Sequence, residues 1–141
     1  MINLVLGYTV IYMRILGIDY GTKRVGLATA DTDSGMAFPR SVINNDKDLL
    51  KTIAEIKKKE NIAKIVLGES KNLNGTDNDI MDAIRKFKAK LETELGVEVI
   101  LQPEFFSTYG ASRIQGDSDM IDASAAAIVL QTYVDQLKNI K

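Results

Sequence analysis

Residues 14–30 read RILGIDYGTKRVGLATA, and the fold turns on how this stretch is read. Arg14 to Ile18 is a short apolar run suited to a buried strand, and Val25 to Ala30 returns as a second one. Between them Asp19-Tyr20-Gly21-Thr22-Lys23-Arg24 reads as a turn, so the spacing predicts a hairpin. An acid closing a buried strand is costly to desolvate unless it is paired or bound to a cation. Gly17 and Gly21 leave backbone room for a phosphate, and Thr22, Lys23 and Arg24 offer it hydrogen bonds and charge. A plain hairpin, with Asp19 bonded to its own turn, accounts for the same residues equally well.

Working outward, Met36 to Ile43 reads as a third strand, which Pro39 marks as an edge or bulged one. Asp46 to Glu60 follows as a helix with Leu49, Leu50, Ile53 and Ile56 on one face and Lys51 and Lys57 to Lys59 turned to water. Lys64 to Leu67 is a fourth strand ending at Gly68, and Glu69 to Thr76 reads as a polar loop. A helix from about Asp77 to Leu95 carries the stripe Ile80, Ile84, Phe87, Leu91 and Leu95, with Gly96 as its stop. Val97 to Leu101 is a fifth strand, and Asp122 to Leu137 a last, alanine-rich helix. The order β-β-β-α-β-α-β-α predicts one α/β domain over residues 13–141, a five-stranded mixed sheet with helices packed on its faces.

Residues 1–12 are apolar and uncharged, too few to cross a membrane and without the basic start of a signal peptide. They read as an extra β-like extension or as the product of a start site placed upstream of Met13, not as an anchor. The chain has 141 residues, no cysteine and no histidine. Disulfides, thiolate metal sites, cysteine nucleophiles and Ser-His-Asp hydrolysis are therefore excluded, and the lack of cysteine fits a reducing cytoplasm. A net charge of −1 gives no global attraction for nucleic acid, so a nucleic-acid ligand needs local basic groups or cations.

Further acids complete the candidate chemistry. Asp119 suits a helix N-cap and Asp122 the capping-box position three residues on, while the small residues 123–127 let that helix lie close on the sheet and aim Asp122 at the strand ends. Glu69 and Glu104 stand just past the fourth and fifth strands, at the strand ends where α/β folds hold ligands. Taken singly, each is an ordinary cap or solvated charge. Asp19, Asp122 and one of the two glutamates gathered at one place would repel one another unless Mg²⁺ or Mn²⁺ neutralised them. One or two such ions can drive in-line hydrolysis of a phosphodiester without any imidazole. Lys57 to Lys59, and Lys86, Lys88 and Lys90, read as solvated helix faces.

Residues 15–28, ILGIDYGTKRVGLA, together with Asn72-Leu73-Asn74-Gly75-Thr76 and Val129-Leu130-Gln131 with Tyr133, resemble the YqgF-type (RuvX-like) family of pre-16S rRNA nucleases and Holliday junction resolvases. The resemblance runs from about Met13 to Asp135 and implies an RNase H-like fold, a divalent metal, a cytoplasmic location and a role in rRNA maturation. It assigns Asp19, Glu104 and Asp122 as catalytic and metal-holding acids. Pro103 and Phe105 depart from the family's Asp-Glu-Arg pattern around Glu104, and Ser107 replaces a threonine. Glu69-Ser70 stands where Leu-Pro is common, and Gly116 to Asp119 replaces a lysine-rich loop.

The leading expectation is a metal-dependent nuclease in which Asp19, Glu104 and Asp122, with Glu69 as the alternative glutamate, hold the metal. Gly21, Thr22, Lys23 and Arg24 would then hold the substrate backbone. Its partners would be pre-rRNA or branched DNA and the ribosome or its precursor, with no membrane, in a monomer or weak homodimer. The alternatives are a junction resolvase and a non-catalytic nucleic-acid or ribosome-binding module that keeps the fold. A sugar-kinase or actin-like ATPase shares the Asp-x-Gly hairpin but clamps its nucleotide between two such domains, which this length does not supply.

Overall fold

A computed structural model describes residues 2–5, 8–11, 13–71, 79–105 and 118–138, without the side chains of residues 2–11, 71, 104–105 and 118–120. The main sheet has five strands: β3 (Arg14–Tyr20), β4 (Arg24–Asp31), β5 (Met36–Asn44), β6 (Ile62–Lys71) and β7 (Glu98–Phe105). They lie in the order β5-β4-β3-β6-β7. The first three form an antiparallel meander, and β6 and β7 join parallel to β3. This is the mixed, RNase H-like sheet expected. The helices are α1 (Leu49–Glu60), α2 (Met81–Leu95) and α3 (Ser118–Lys138). Ahead of the sheet, β1 (Ile2–Val5) and β2 (Tyr8–Ile11) pair with each other as a two-stranded antiparallel sheet.

Strand alternation divides the side chains into two layers. Leu16, Ile18, Val25, Leu27, Ile65 and Leu67 point to one face and pack, fully buried, with Ile53 and Ile56 of α1 and Ile84, Phe87 and Leu91 of α2. Ile15, Ala28, Ala30 and Val66 point to the other face, against Ala126, Leu130 and Val134 of α3. Each large aliphatic side chain taken fully from water contributes about 1.5–3 kcal/mol. The Tyr20 ring meets Phe87 at 5.0 Å and 38°, which closes the first layer near the strand ends.

The edge position of β5 and its irregularity are both as expected. Leu27 pairs with Ser41 but Ala28 with Pro39, so the bulge falls at Arg40, beside the residue that has no N–H to give. Helix α1 begins three residues later than expected because the Asp46 carboxylate accepts the Asp48 N–H at 2.9 Å, which holds the chain in a turn before Leu49. It ends at Asn61 in the left-handed conformation (φ 55°), as α2 ends at Gly96.

The expected strand ends require correction. Asp19 and Tyr20 are not turn residues: they continue β3, opposite Gly26 and Val25. Glu69 and Glu104 do not stand past their strands either. β6 and β7 run on together through Glu69↔Pro103 and Ser70↔Glu104 to Lys71↔Phe105, because each polar end supplies the other's backbone hydrogen bonds. Helix α3 starts at Ser118, so Asp119 lies within it rather than capping it, and Asp122 is in its second turn. The 72–76 loop, Ser107, Gly116 and Asp117 lie outside the described residues.

Candidate active site

The site is built on the face covered by α3. Small residues let that helix approach the sheet to backbone contact. A Cβ added at Gly17 would stand 2.8 Å from Leu130 Cβ and 3.1 Å from the Ala126 carbonyl oxygen. At Gly26 it would stand 2.0 Å from the Asp122 carbonyl oxygen, a distance that no side chain permits. Gly26 is the cross-strand partner of Asp19, and side chains of a cross-strand pair point to the same face. Asp19, only 8% exposed, is therefore aimed at the α3 layer beside the helix turn that carries Asp122. Two acids separated in sequence by most of the domain become neighbours.

Arg24 joins them. Its Nε donates to Asp122 Oδ2 at 3.2 Å, and the Asp122 side chain is 17% exposed against 44% for Arg24. The sequence assigned Arg24 to the substrate alone, whereas it also fixes the orientation of a candidate catalytic acid. A guanidinium has five N–H donors, and this pair engages the one at Nε. Gly21, Thr22, Lys23, Arg24 and Asp122 together line an open cleft of about 230 Å³.

The turn that forms one wall of this cleft is tied down from outside the motif. Asn45 Nδ2 donates to the Gly21 carbonyl at 2.7 Å, and the Asn45 N–H donates to the Lys23 carbonyl at 2.9 Å. At Gly21 itself an added Cβ would strike the Arg24 carbonyl oxygen at 2.5 Å. Reading the sequence missed Asn45 as a positioning residue. Its one signal was the polar run Asn44-Asn45-Asp46 after β5, which looks like any strand-ending turn.

The two candidate glutamates separate by parity. Position 104 has the alternation of Ile100 and Gln102, the former packed on the α3 cluster, so its register lies on the same side of the sheet as Asp19. Glu69 has the alternation of Ile65 and Leu67, which face α1 and α2. The sheet thus puts Asp19, Asp122 and register position 104 on one face and leaves Glu69 on the other. Among the described residues no group of three or more acids gathers as metal ligands, the Glu104 side chain being outside them. The two acids on this face, Asp19 and Asp122, offer carboxylate oxygens, the donor chemistry that suits Mg²⁺ or Mn²⁺.

A family model described as "RuvX: Holliday junction resolvase" matches residues 13–136. The chain belongs to the RuvX family. Among its relatives, a protein of Bacillus cytotoxicus is 36% identical over 87% of this chain and 98% of its own length. One of Bacillus licheniformis is 38% identical over 90% of this chain and all of its own. Both carry the name "Putative pre-16S rRNA nuclease". The fold is also that of Thermus thermophilus RuvC, solved in complex with a Holliday junction substrate (TM-score 0.54, 13% identity, 88% of this chain and 96% of that one). It is shared as well by the fowlpox virus Holliday junction resolvase (TM-score 0.52, 16% identity, 89% and 99%). The RuvX match covers residues 13–136, and the β1–β2 hairpin precedes it. Among the described residues no helix is long and apolar enough to cross a membrane.

Proposed function

We propose that this protein is a nuclease that hydrolyses phosphodiester bonds with Mg²⁺ or Mn²⁺, acting in the cytoplasm on the 5′ end of pre-16S rRNA. The observation that carries this reading is the pairing of Asp19 with Gly26, whose missing side chain admits the Asp122 turn of α3. Two carboxylates then share one face beside a cleft edged by Lys23 and Arg24. Asp19, Asp122 and Glu104 would hold the metal; Glu69, on the opposite face, is left out of the proposed set. When bound, such ions lower the pKa of water and neutralise charge on the phosphoryl oxygens.

The chain's own residues do the rest. Thr22 and Lys23 stand exposed at the cleft and offer a hydroxyl and a point charge to a phosphate. Arg24 holds Asp122 through Nε and keeps a fixed positive charge beside the phosphate as negative charge grows on it. The bonds from Asn45 hold the turn in place before substrate arrives, so little ordering remains to be done on binding.

Purified protein with Mg²⁺ or Mn²⁺ should shorten a 16S rRNA precursor bearing its 5′ leader. Asp19→Asn and Asp122→Asn, shown by circular dichroism to be folded, should each cleave at least ~100-fold more slowly. Wild-type rates in both variants would remove these residues from the chemistry. The family model's description favours a second substrate, a four-way DNA junction, which belongs in the same assay. Cleavage of the junction alone would transfer the activity to branched DNA, and binding with no cleavage of either would make the chain a binding module.

A further inference from the structure

Arg24 borders more than one cavity. A second cavity of about 310 Å³ shares it with the cleft and opens along the edge strand β5. Its polar lining is Arg24, Arg40, Ser41 and Asn44; its apolar lining is Pro39, Val42 and Ala123. Register places three of its β5 residues on the same side of the sheet as the first cleft. Asn44 lies opposite Arg24, Val42 opposite Gly26 and Pro39 opposite Ala28, so all three have the parity of the α3 face. Ala123 follows Asp122 on the helix that closes the other side. The result is a groove between the sheet edge and the start of α3, leading away from the two carboxylates.

Its chemistry is not that of a metal site. Arg24 and Arg40 line it, each already paired with an acid, Arg24 with Asp122 and Arg40 with Glu60, and among the described residues no carboxylate is in its lining. Arg40 is held by Glu60, to which both its Nε (2.9 Å) and its Nη2 (2.5 Å) donate, and by Ser41 Oγ, to which its Nη1 donates at 3.0 Å, which leaves one N–H on each Nη for a ligand. Asn44 adds a neutral donor and acceptor, and Pro39, Val42 and Ala123 give an apolar floor. Charge for a phosphate, hydrogen bonds for a sugar and an apolar surface for a base edge are what one nucleotide of a single strand requires. The volume is at the small end of ligand pockets, about 300 Å³, which suits one such unit.

We propose that this groove binds the nucleotide next to the reacting phosphate, in a single-stranded segment of RNA or DNA that crosses the β5 edge. The proposal rests on the nuclease reading for the direction of the strand but is tested by binding alone. A fluorescent single-stranded 12-mer, as RNA and as DNA, is titrated by anisotropy in EDTA over a range of KCl concentrations. Asn44→Glu, Arg40→Gln and the distant control Lys90→Gln on α2 change net charge equally. Asn44→Glu should weaken binding by ~10-fold and Lys90→Gln by less than ~2-fold, since a charge placed at the contact outweighs one beyond the Debye length. Arg40→Gln should weaken binding and flatten the slope of log K against log [KCl] by about 0.7, the loss of one phosphate contact.

If Asn44→Glu keeps its thermal midpoint and binds the 12-mer within twofold of wild type, the groove is not the path. The same holds if Lys90→Gln loses as much as Asn44→Glu, or if wild type does not bind the single strand at all. Cleavage in Mg²⁺ is scored separately: a wild type that cleaves while the groove variants bind normally overturns the groove and keeps the nuclease. A wild type that never cleaves, with groove variants that lose binding, does the reverse.

Discussion

The two faces of the sheet solve opposite problems. On the α1/α2 face, large aliphatic side chains of β3, β4 and β6 meet those of two amphipathic helices, and Tyr20 and Phe87 close the layer. On the α3 face, the sheet presents Gly17, Gly26, Ala28 and Ala30, and the helix answers with Ala123, Ala126 and Ala127. The first face holds the molecule together by volume. The second gives up volume for proximity, and that proximity brings the Asp122 turn to Asp19. Stability and chemistry are thus assigned to different sides of the same five strands.

The largest effect that separates the faces is a truncation. Leu67→Ala removes a fully buried side chain from the first layer and should cost about 2–5 kcal/mol, read as a shift in the urea midpoint. Cleavage per folded molecule should stay at the wild-type rate, because Leu67 points away from the α3 face. A rate that falls in step with stability would mean that the two faces are not separable.

Next comes an addition. Gly26→Ala puts one methyl group where the Asp122 carbonyl oxygen stands, so α3 must move outward. Overpacking of this kind costs about 1–3 kcal/mol, less than the truncation, but here activity should collapse, because the helix that moves carries Asp122. Gly17→Ala, whose nearest atom is a side-chain carbon of Leu130, should show the same pattern more weakly. A Gly26→Ala protein with wild-type stability and activity would break the contrast between the faces.

These contrasts also explain what the sequence disclosed. The hairpin, the edge strand with Pro39, the two amphipathic helices and the small residues of α3 follow from local periodicity and composition, and each was legible. The polar ends of β6 and β7 were not. Gly68 to Lys71 lacks an apolar alternation, and only its neighbour in the sheet, itself a polar end, keeps it extended. Missing that pairing left Glu69 and Glu104 both as loop residues, with Glu104 preferred only through the family resemblance, although strand parity puts their positions on opposite faces. The partnership of Arg24 with Asp122 and the hold of Asn45 on the turn depend on contacts far apart in sequence, for which no spacing rule exists.

The smallest effect tests whether the far end of the α3 face is only structural. Lys64 has the parity of Val66 and meets α3 at the opposite end of β6 from Ser70. Its Nζ donates to the Tyr133 hydroxyl at 2.9 Å, lies 5.4 Å from that ring's centroid and 3.7 Å from Glu98 Oε1. Burial pushes the Lys64 ammonium down, but the Tyr133 hydrogen bond and the charges of Tyr133 and Glu98 push it up and prevail, so its pKa is raised. A raised folded value means that the protonated form stabilises the fold fully below the unfolded value, about 10.4, and less as pH climbs through the folded one. Lys64→Met should therefore lower stability by up to about 1 kcal/mol, the worth of such a hydrogen bond, by an amount constant from neutral pH to about 9. Above about pH 10.4 the gap in urea midpoint between the two proteins should close. Cleavage at neutral pH should not change, since this end of the layer is remote from Asp19 and Asp122. A gap that widens with alkali would reverse the sign of the coupling, and lost cleavage would extend the site along the whole helix.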